Sequence, residues 1–194
     1  MQEEIIKTDQ ELVLNTLSNK HAFSSIVEKY EEPMRRYIRR LGCKDGSDSD
    51  DVLQDIFIKV FINLNDYDPN LKFSSWLYRI AHNETISFFR KKNVRPSVLT
   101  LDTEDADHFF AQLADDKDFI ELANQRDDTR VIHKLLSELD PKYKEIIVLR
   151  FLEEKSYTEI SDILKIPEGT VGTLVNRGKK RLREILEKKG IKQL

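Results

Sequence analysis

Apolar side chains recur every three or four residues along most of the chain, which is the pattern of amphipathic helices. The pattern predicts helices over residues 10–18, 20–41, 48–62 and 73–92, and a second helical block over residues 119–189. The low content of glycine and proline, six and five residues, argues against a β protein rich in loops. We therefore predict an all-α fold.

Local signals predict where several helices begin or are interrupted. Asp48 and Ser49 stand where the N-cap of the third helix belongs, because short polar side chains accept hydrogen bonds from the first turn. Pro141 is expected to be the first residue of a helix that Asp140 caps. Pro33 is expected to kink or restart the second helix, since proline lacks a backbone N–H.

The helical pattern fades over residues 94–118, where acidic residues dominate. Residues 102–128 contain ten acidic and two basic residues, a local charge of −8 that leaves +5 for the rest of the chain. The sequence therefore predicts a helical domain over 1–93, an acidic linker over 94–118 and a second helical domain over 119–194. Apolar residues in the linker fit either contact with a partner or short helices packed on a domain.

The composition excludes several classes of protein. A single cysteine, Cys43, allows neither an internal disulfide nor a cysteine-based zinc site. The apolar stretches are far shorter than the roughly 20 residues of a membrane helix, and no secretory signal precedes the first helix. We expect a cytoplasmic protein with no membrane insertion. The chain has no glycine-rich phosphate loop and no pattern of catalytic or metal-binding residues, so we expect no enzyme, cofactor or metal.

The basic residues are clustered near the ends of the two predicted domains. Residues 177–192 contain eight basic and two acidic side chains, and a second basic group, Arg90, Lys91, Lys92 and Arg95, lies at the end of the helix over 73–92. Such clusters are typical of proteins that bind polyanions. Charge alone leaves solvated helix faces as an equal alternative.

Residues 156–188 have the pattern of a helix-turn-helix. Ser156 and Glu159 have capping-box spacing, so a short helix over 157–164 is expected. A break at residues 165–167 separates it from a longer, basic helix. In a helix-turn-helix the second helix enters the DNA major groove. A generic corner between two helices is the alternative.

The helix over 73–92 combines aromatic residues with arginines and ends in a basic run. Aromatic rings stack on unpaired bases while cations follow the phosphates, so this combination suits single-stranded DNA. Asn83 has an amide that both donates and accepts hydrogen bonds and is a candidate for contact with a base edge. An aromatic stripe at helical spacing is more often core, and we expect Trp76 and Phe89 to be at least partly core.

Four segments, in this order, resemble the extracytoplasmic-function (ECF, group IV) sigma factors of bacterial RNA polymerase. They are His21-Ala-Phe with the helix that follows, Asp51-Val-Leu-Gln-Asp-Ile-Phe, Phe73-x-x-Trp-Leu-Tyr-Arg-Ile-Ala-x-Asn83, and Leu139-Asp-Pro-Lys-Tyr143 with Tyr157-x-Glu-Ile-x-x-Ile-Leu and Ile166-Pro-Glu-Gly-Thr-Val171. The resemblance covers about residues 10–188. Any one segment is a weak signal, whereas the ordered set is specific.

The resemblance implies a function and a set of site residues. It implies a subunit that directs core RNA polymerase to promoters and melts them without ATP, with a flipped base held by the loop over 65–72. Residues implied to bind the clamp helices of the largest polymerase subunit are Asp51, Gln54 and Asp55. Residues implied to bind the minus-ten element are Tyr67, Lys72, Phe73, Trp76, Tyr78, Arg79, Asn83, Arg90, Lys91 and Lys92. Residues implied to bind the minus-thirty-five element are Gly169, Thr170, Thr173, Asn176, Arg177, Lys179 and Lys180.

The resemblance also implies partners. They are the flap of the second-largest polymerase subunit, which the second domain would bind, promoter DNA in double- and single-stranded form, and an anti-sigma factor. It does not specify the promoter, the inducing signal or the anti-sigma factor. Two other hypotheses remain: a helix-turn-helix regulator that never joins polymerase, and a mimic that titrates an anti-sigma factor.

The chain departs from the family pattern at four positions. Gly172 and Leu174 stand where the family usually has Lys and Arg, and Ser87 stands where it often has Asp. Two cations are therefore expected to be missing from the DNA-facing helix. Lys165 occupies a turn position that usually holds Gly or Asn, and a positive φ there would cost about 1 kcal/mol or more.

Overall fold

The computed structural model describes residues 8–43, 46–92, 136 and 138–188, and these form seven α-helices without a strand. The helices are α1 (Asp9–Ser18), α2 (Phe23–Leu41), α3 (Ser47–Ile62), α4 (Phe73–Lys92), α5 (Pro141–Ile147), α6 (Tyr157–Leu164) and α7 (Glu168–Lys188). A π-helical turn, Val148–Leu152, extends α5. The prediction of an all-α fold is confirmed. The predicted linker over 94–118 lies outside the described residues.

Two of the predictions for α2 and α3 are compared with the observed helices at Pro33 and at the start of α3. Helix α2 runs from Phe23 to Leu41 through Pro33, so the helix does not restart there, and Ile26 and Met34 on either side of the proline are fully buried. Helix α3 begins at Ser47 after Gly46, whose φ of +120° only glycine adopts without strain. Asp48 and Ser49 therefore lie in the first turn and are not the N-cap.

The local signals of the helix-turn-helix are confirmed. The Ser156 side chain accepts a hydrogen bond from the Glu159 backbone, and Glu159 accepts one from the Ser156 backbone, which together form a capping box. Lys165 ends α6 in the left-handed region at φ +55°. Pro141 begins α5 as predicted, with Asp140 at the N-cap position but without a hydrogen bond from its side chain.

Helices α1–α4 form an N-terminal bundle around one apolar core. Its largest fully buried side chains come from three of the four helices and are Ile26, Met34, Tyr37, Ile38, Ile56, Phe73 and Leu77. They recur at the three- and four-residue spacing that the sequence shows, so each helix turns its apolar stripe inward. The polar faces of α3 and α4 are thereby left towards solvent.

Helices α5–α7 form a C-terminal bundle in which α7 crosses both α5 and α6. Its core contains Ile146, Ile147, Ile160, Ile163 and Val171. Because α6 and the first half of α7 share this core, the outer face of α7 is fixed in position. The two bundles also pack on each other, with α4 lying against α6.

Candidate nucleic-acid interface

The three residues implied to bind polymerase lie together on the exposed face of α3. Asp51, Gln54 and Asp55 are all exposed and, at spacings of three and four residues, share one side of the helix. The same face continues into Ile58 and Ile62, which are 47% and 66% exposed. Sequence reasoning missed this apolar continuation, although the helical spacing from Asp51 would have predicted it.

An apolar groove runs beside this face, between α2 and α3. It has a volume of about 830 Å³, and Phe23, Val27, Leu53, Phe57 and Phe61 line it together with Gln54. Phe23 packs edge-on against Phe61 with ring centroids 5.0 Å apart. The α3 face therefore combines carboxylates at one end with exposed apolar surface at the other, a composition suited to docking a protein.

Part of the aromatic set implied to bind single-stranded DNA is core in this structure. Tyr67, Phe73 and Trp76 are buried and pack on each other, with ring centroids 5.4 to 5.7 Å apart. The Tyr67 hydroxyl donates to the backbone oxygen of Leu71 at 2.5 Å, which closes the loop over 65–72. The expectation that Trp76 and Phe89 are core agrees with their burial.

The polar residues of α4 lie on an outer stripe of the helix. Arg79, Asn83, Ser87 and Arg90 follow each other at spacings of three and four residues, and Asn83 and Arg90 are exposed. At the end of the helix Lys91 and Lys92 are also exposed, and Lys92 pairs with Asp48 at 2.5 Å. The stripe thus offers one amide and several cations to a ligand, as a nucleic-acid strand requires.

The recognition helix α7 presents its predicted residues on one side. Gly169, Thr170, Thr173, Asn176, Arg177 and Lys180 are exposed, and Lys179 is half-buried. The Thr173 hydroxyl donates to the Gly169 carbonyl at 2.9 Å, which fixes its orientation. A helix whose exposed face combines hydroxyl, amide and cationic side chains is suited to contact base edges and phosphates in the major groove.

Two of the departures from the family pattern lie off this exposed face. A side chain at Gly172 would approach the Tyr157 ring at 3.5 Å, so this position points towards α6. Leu174 is half-buried and packs on the core. Both positions are half-buried, as is Lys179, so the expectation that two cations are missing from the DNA-facing side stays a prediction.

The remaining implied residues of the minus-ten set, Lys72 and Tyr78, contact the C-terminal bundle. The Tyr78 hydroxyl donates to Glu153 Oε2 at 2.6 Å, and Lys72 pairs with Glu159 at 3.2 Å. Burial, with the Glu153 carboxylate nearby, raises the pKa of Tyr78 well above its ordinary value. The pKa of Glu159 lies below its ordinary value. Burial alone would raise this pKa, but hydrogen bonds from Ser156 and Lys72 to the carboxylate outweigh the effect of burial.

A buried ion pair lies at the centre of this contact between the bundles. Arg40 Nη1 is 2.5 Å from Glu153 Oε1, and the two side chains are only 6% and 5% exposed. Arg40 also donates to the Leu152 carbonyl at 3.0 Å. Sequence reasoning missed this pair because its members lie 113 residues apart and nothing in their local pattern distinguishes them from other charged residues.

A second group of the contact surrounds Glu145 on α5. Its carboxylate accepts a hydrogen bond from the Tyr37 hydroxyl at 3.3 Å and is paired with His82 of α4. Burial, with the charge of Glu145 as the next cause, raises the pKa of Tyr37 well above its ordinary value. The contact thus joins three acids of the C-terminal bundle, Glu145, Glu153 and Glu159, to five polar residues of the N-terminal one, which are Tyr37, Arg40, Lys72, Tyr78 and His82.

No group of His, Cys, Asp and Glu side chains suited to hold a metal ion occurs within residues 8–43, 46–92 and 138–188. Cys43 is buried in the N-terminal bundle. Within those same ranges, none of the helices combines the length and apolar character needed to cross a membrane.

Comparison with known proteins identifies both bundles. The family described as Sigma-70 region 2 matches residues 26–95, and Sigma-70, region 4 matches residues 129–182. The ECF RNA polymerase sigma factor SigW of Bacillus subtilis is 36% identical over 176 residues, covering 85% of this chain and 89% of that protein. The RNA polymerase sigma-H factor of Pseudomonas aeruginosa is 30% identical over 182 residues, covering 92% and 94%.

Two solved structures have the same fold. CnrH, in complex with the cytosolic domain of CnrY, superposes with a TM-score of 0.65 and 24% identity, covering 92% of this chain and 97% of that one. RpoE of Bartonella quintana, in complex with the anti-sigma factor NepR, gives a TM-score of 0.63 and 22% identity, covering 85% and 96%. From the two matched regions and the identity to SigW over most of both chains, we conclude that this chain belongs to the ECF sigma factors of the sigma-70 family.

Proposed function

We propose that this ECF sigma factor binds core RNA polymerase in the cytoplasm through the exposed face of α3 and carries the enzyme to promoters with minus-ten and minus-thirty-five elements. Two observations support this most strongly. The residues implied to bind polymerase share one exposed side of α3, and those implied to bind the minus-thirty-five element share one side of α7. In this proposal the chain contributes binding and DNA melting, and the core enzyme contributes the catalytic chemistry.

The α3 face is proposed to bind the clamp helices of the largest polymerase subunit. Asp51 and Asp55 supply negative charge for basic groups on the clamp, while Ile58 and Ile62 bury apolar surface against it. Charged groups at an interface mainly set orientation and the rate of encounter, and apolar surface supplies most of the free energy of binding.

The two DNA-binding faces are proposed to act on different forms of DNA. The outer stripe of α4, with the loop over 65–72, would hold the unpaired strand of the minus-ten element, and binding energy would offset the few kcal/mol that base flipping costs. The exposed side of α7 would enter the major groove at the minus-thirty-five element. The proposed domains are 1–93 for the first activity and 119–194 for the second.

An anti-sigma factor is proposed to control this chain. RpoE of Bartonella quintana was solved with the anti-sigma factor NepR, and its fold is that of the present chain. The C-terminal bundle is further proposed to bind the flap of the second-largest polymerase subunit, which would place α7 over upstream DNA.

Reversing the charge at Asp55 tests the proposed polymerase contact. We expect Asp55→Arg to weaken binding to core RNA polymerase by about 30-fold or more, because like charges brought together at an interface cost several kcal/mol. Binding is measured by titrating labelled protein with purified core enzyme. Asp55 is exposed on α3, so the unfolding midpoint is expected to stay within a few degrees of wild type.

The matched control is Glu28→Arg, which makes the same charge change at an exposed position of α2. It is expected to leave the affinity for core enzyme within about threefold of wild type, since it lies away from the proposed docking face. Equal affinities of the two variants would refute the role of Asp55.

A further inference from the structure

An aliphatic side chain, Ile86, lies exposed in the middle of the outer stripe of α4. It is 44% exposed and follows Arg79 by seven residues and Asn83 by three, with Arg90 four residues further on. At 3.6 residues per turn, these spacings place all four side chains within about 60° of one another around the helix axis. The stripe that offers an amide and cations to a ligand therefore also has an apolar centre.

Ile86 belongs neither to the core nor to the face proposed to bind polymerase. Along the whole described length of α4, it is the only large apolar side chain that is exposed. Glu84 turns towards α3, where it pairs with Lys59 at 2.5 Å. Two residues along a helix correspond to about 200° of rotation, so Ile86 points to the side of α4 that faces away from α3.

The polar side chains around Ile86 have no partner among the described residues. Arg79, Asn83 and Arg90 make no side-chain hydrogen bond or ion pair within that part of the chain, whereas Lys92 at the end of the same helix pairs with Asp48. A ligand that pairs with cations and an amide while it covers an aliphatic side chain is anionic on one side and apolar on another. A nucleic-acid strand, with its phosphates and its base faces, has this composition.

The dimensions of the stripe fit a DNA strand. Arg79 and Arg90 are eleven residues apart, about 16 Å along the helix, which is the length of about five stacked nucleotides at 3.4 Å each. Ile86 lies between them, about 20 Å from Phe73, where α4 begins after the loop over 65–72. A strand that is unpaired at the loop thus has about six stacked nucleotides in which to re-enter the duplex before it reaches Ile86.

The chemistry of isoleucine suits a contact that separates neighbouring bases. Apolar side chains such as isoleucine insert between base steps and partly unstack them, while cations on either side hold the phosphates. Isoleucine is branched at Cβ and strongly prefers one χ1 rotamer in a helix. Little side-chain freedom is therefore lost when Ile86 packs against a base.

From these observations we propose that Ile86 is the wedge of α4: its side chain packs on the ring face of a base at the junction between the duplex and the unpaired strand of the minus-ten element, and keeps that junction from closing. The inference rests on the proposed function, since it adds a residue to the α4 site. Ile86 acts on the opening of the promoter and takes no part in binding core polymerase.

The substitution Ile86→Ala tests the wedge in the full chain bound to core polymerase. The probe is a duplex promoter that the wild-type chain selects from a randomised pool, with 2-aminopurine placed in turn at each adenine of the minus-ten element, where its fluorescence rises on unstacking. We expect the variant to lower the fraction of open promoter about fivefold, because three carbons of the apolar contact are lost. On the same promoter with a mismatched, already unpaired minus-ten element, opening should stay within about twofold of wild type, since unpaired bases need little further work to separate.

Two other variants serve as controls. Ile86→Leu keeps an aliphatic side chain of the same volume and is expected to open the duplex promoter within about twofold of wild type. Leu14→Ala makes a matched truncation at a 63% exposed position of α1 and is expected to leave opening unchanged. Because Ile86 is exposed, the unfolding midpoint of Ile86→Ala should stay within a few degrees of wild type.

Three results would overturn the proposal. They are an Ile86→Ala variant that opens the duplex promoter as well as wild type does, a defect that is equally large on the mismatched promoter, and a loss of affinity for core polymerase, which would place Ile86 against a protein. In each of these results the wild-type chain still opens its promoter. A wild-type chain that opens no promoter would instead refute the proposed function, so the two failures are distinguishable.

Discussion

Replacing Gly178 with leucine is expected to unfold the C-terminal bundle and to abolish promoter-dependent transcription. Gly178 lies on α7 where it crosses α5, and a Cβ atom there would lie 3.0 Å from Ile147 Cγ1 and 3.1 Å from its Cδ1. Ile147 is fully buried and has little room to move. Forcing four additional carbons into a packed core costs about 3 kcal/mol or more, and that is a large part of the stability of a small bundle.

The measurement is chemical unfolding followed by two signals. Circular dichroism reports all helices, whereas the fluorescence of Trp76, the chain's one tryptophan, reports the N-terminal bundle. Gly178→Leu should lose part of the helical signal at low denaturant while the Trp76 transition remains. The control is Gly169→Ala, because a Cβ atom at Gly169 has no neighbour within 4 Å. A Gly178→Leu chain as stable as wild type would contradict the described packing of α5 on α7.

Substituting alanine at Trp76 is expected to destabilise the N-terminal bundle by about 3–5 kcal/mol, the usual cost of removing a large buried aromatic side chain. The Trp76 indole is 7% exposed and packs on Tyr67 and Phe73, with ring centroids 5.6 and 5.7 Å away. Transcription would be lost together with the fold. Circular dichroism during urea unfolding measures the effect.

Asn83→Ala separates a structural role from a role in DNA binding. Asn83 is exposed on the outer stripe of α4, so the substitution should change stability by no more than about 0.5 kcal/mol. Transcription from a matched promoter should fall about tenfold, since loss of one good base contact costs about 1–3 kcal/mol.

The account would be contradicted if Trp76→Ala kept wild-type stability and lost only promoter melting, because the indole would then not be core.

Features determined by neighbouring residues were predictable from the sequence. The Ser156–Glu159 capping box follows from residue spacing and is present, and Lys165, at the turn position singled out in the sequence, has a positive φ. The helix that begins at Ser47 was predicted one residue late, because the side chains of Asp48 and Ser49 are good caps but Gly46 supplies the backbone conformation. The restart that was one of two predictions for Pro33 does not occur, since α2 runs unbroken from Phe23 to Leu41 and buries Ile26 and Met34 on either side of the proline.

Features determined by packing were predictable only in part. The aromatic pattern of α4 is the same whether its rings face a core or a DNA strand, so the sequence left both readings open. The pairs of Arg40 with Glu153 and of Tyr37 with Glu145 join residues more than 100 positions apart. No local pattern indicates such pairs, and they become apparent only when α2 is packed against α5 and the end of its π-helical turn.

Run-off transcription with purified core RNA polymerase tests the central claim most directly. The template is a pool of randomised promoters, and the start sites are sequenced with and without the protein. We predict starts that share two short elements at a fixed spacing and that are absent with core enzyme alone. A chain that binds core enzyme yet gives no such starts would instead be a titrating mimic, and one that does not bind core enzyme would contradict the assignment of a sigma factor function.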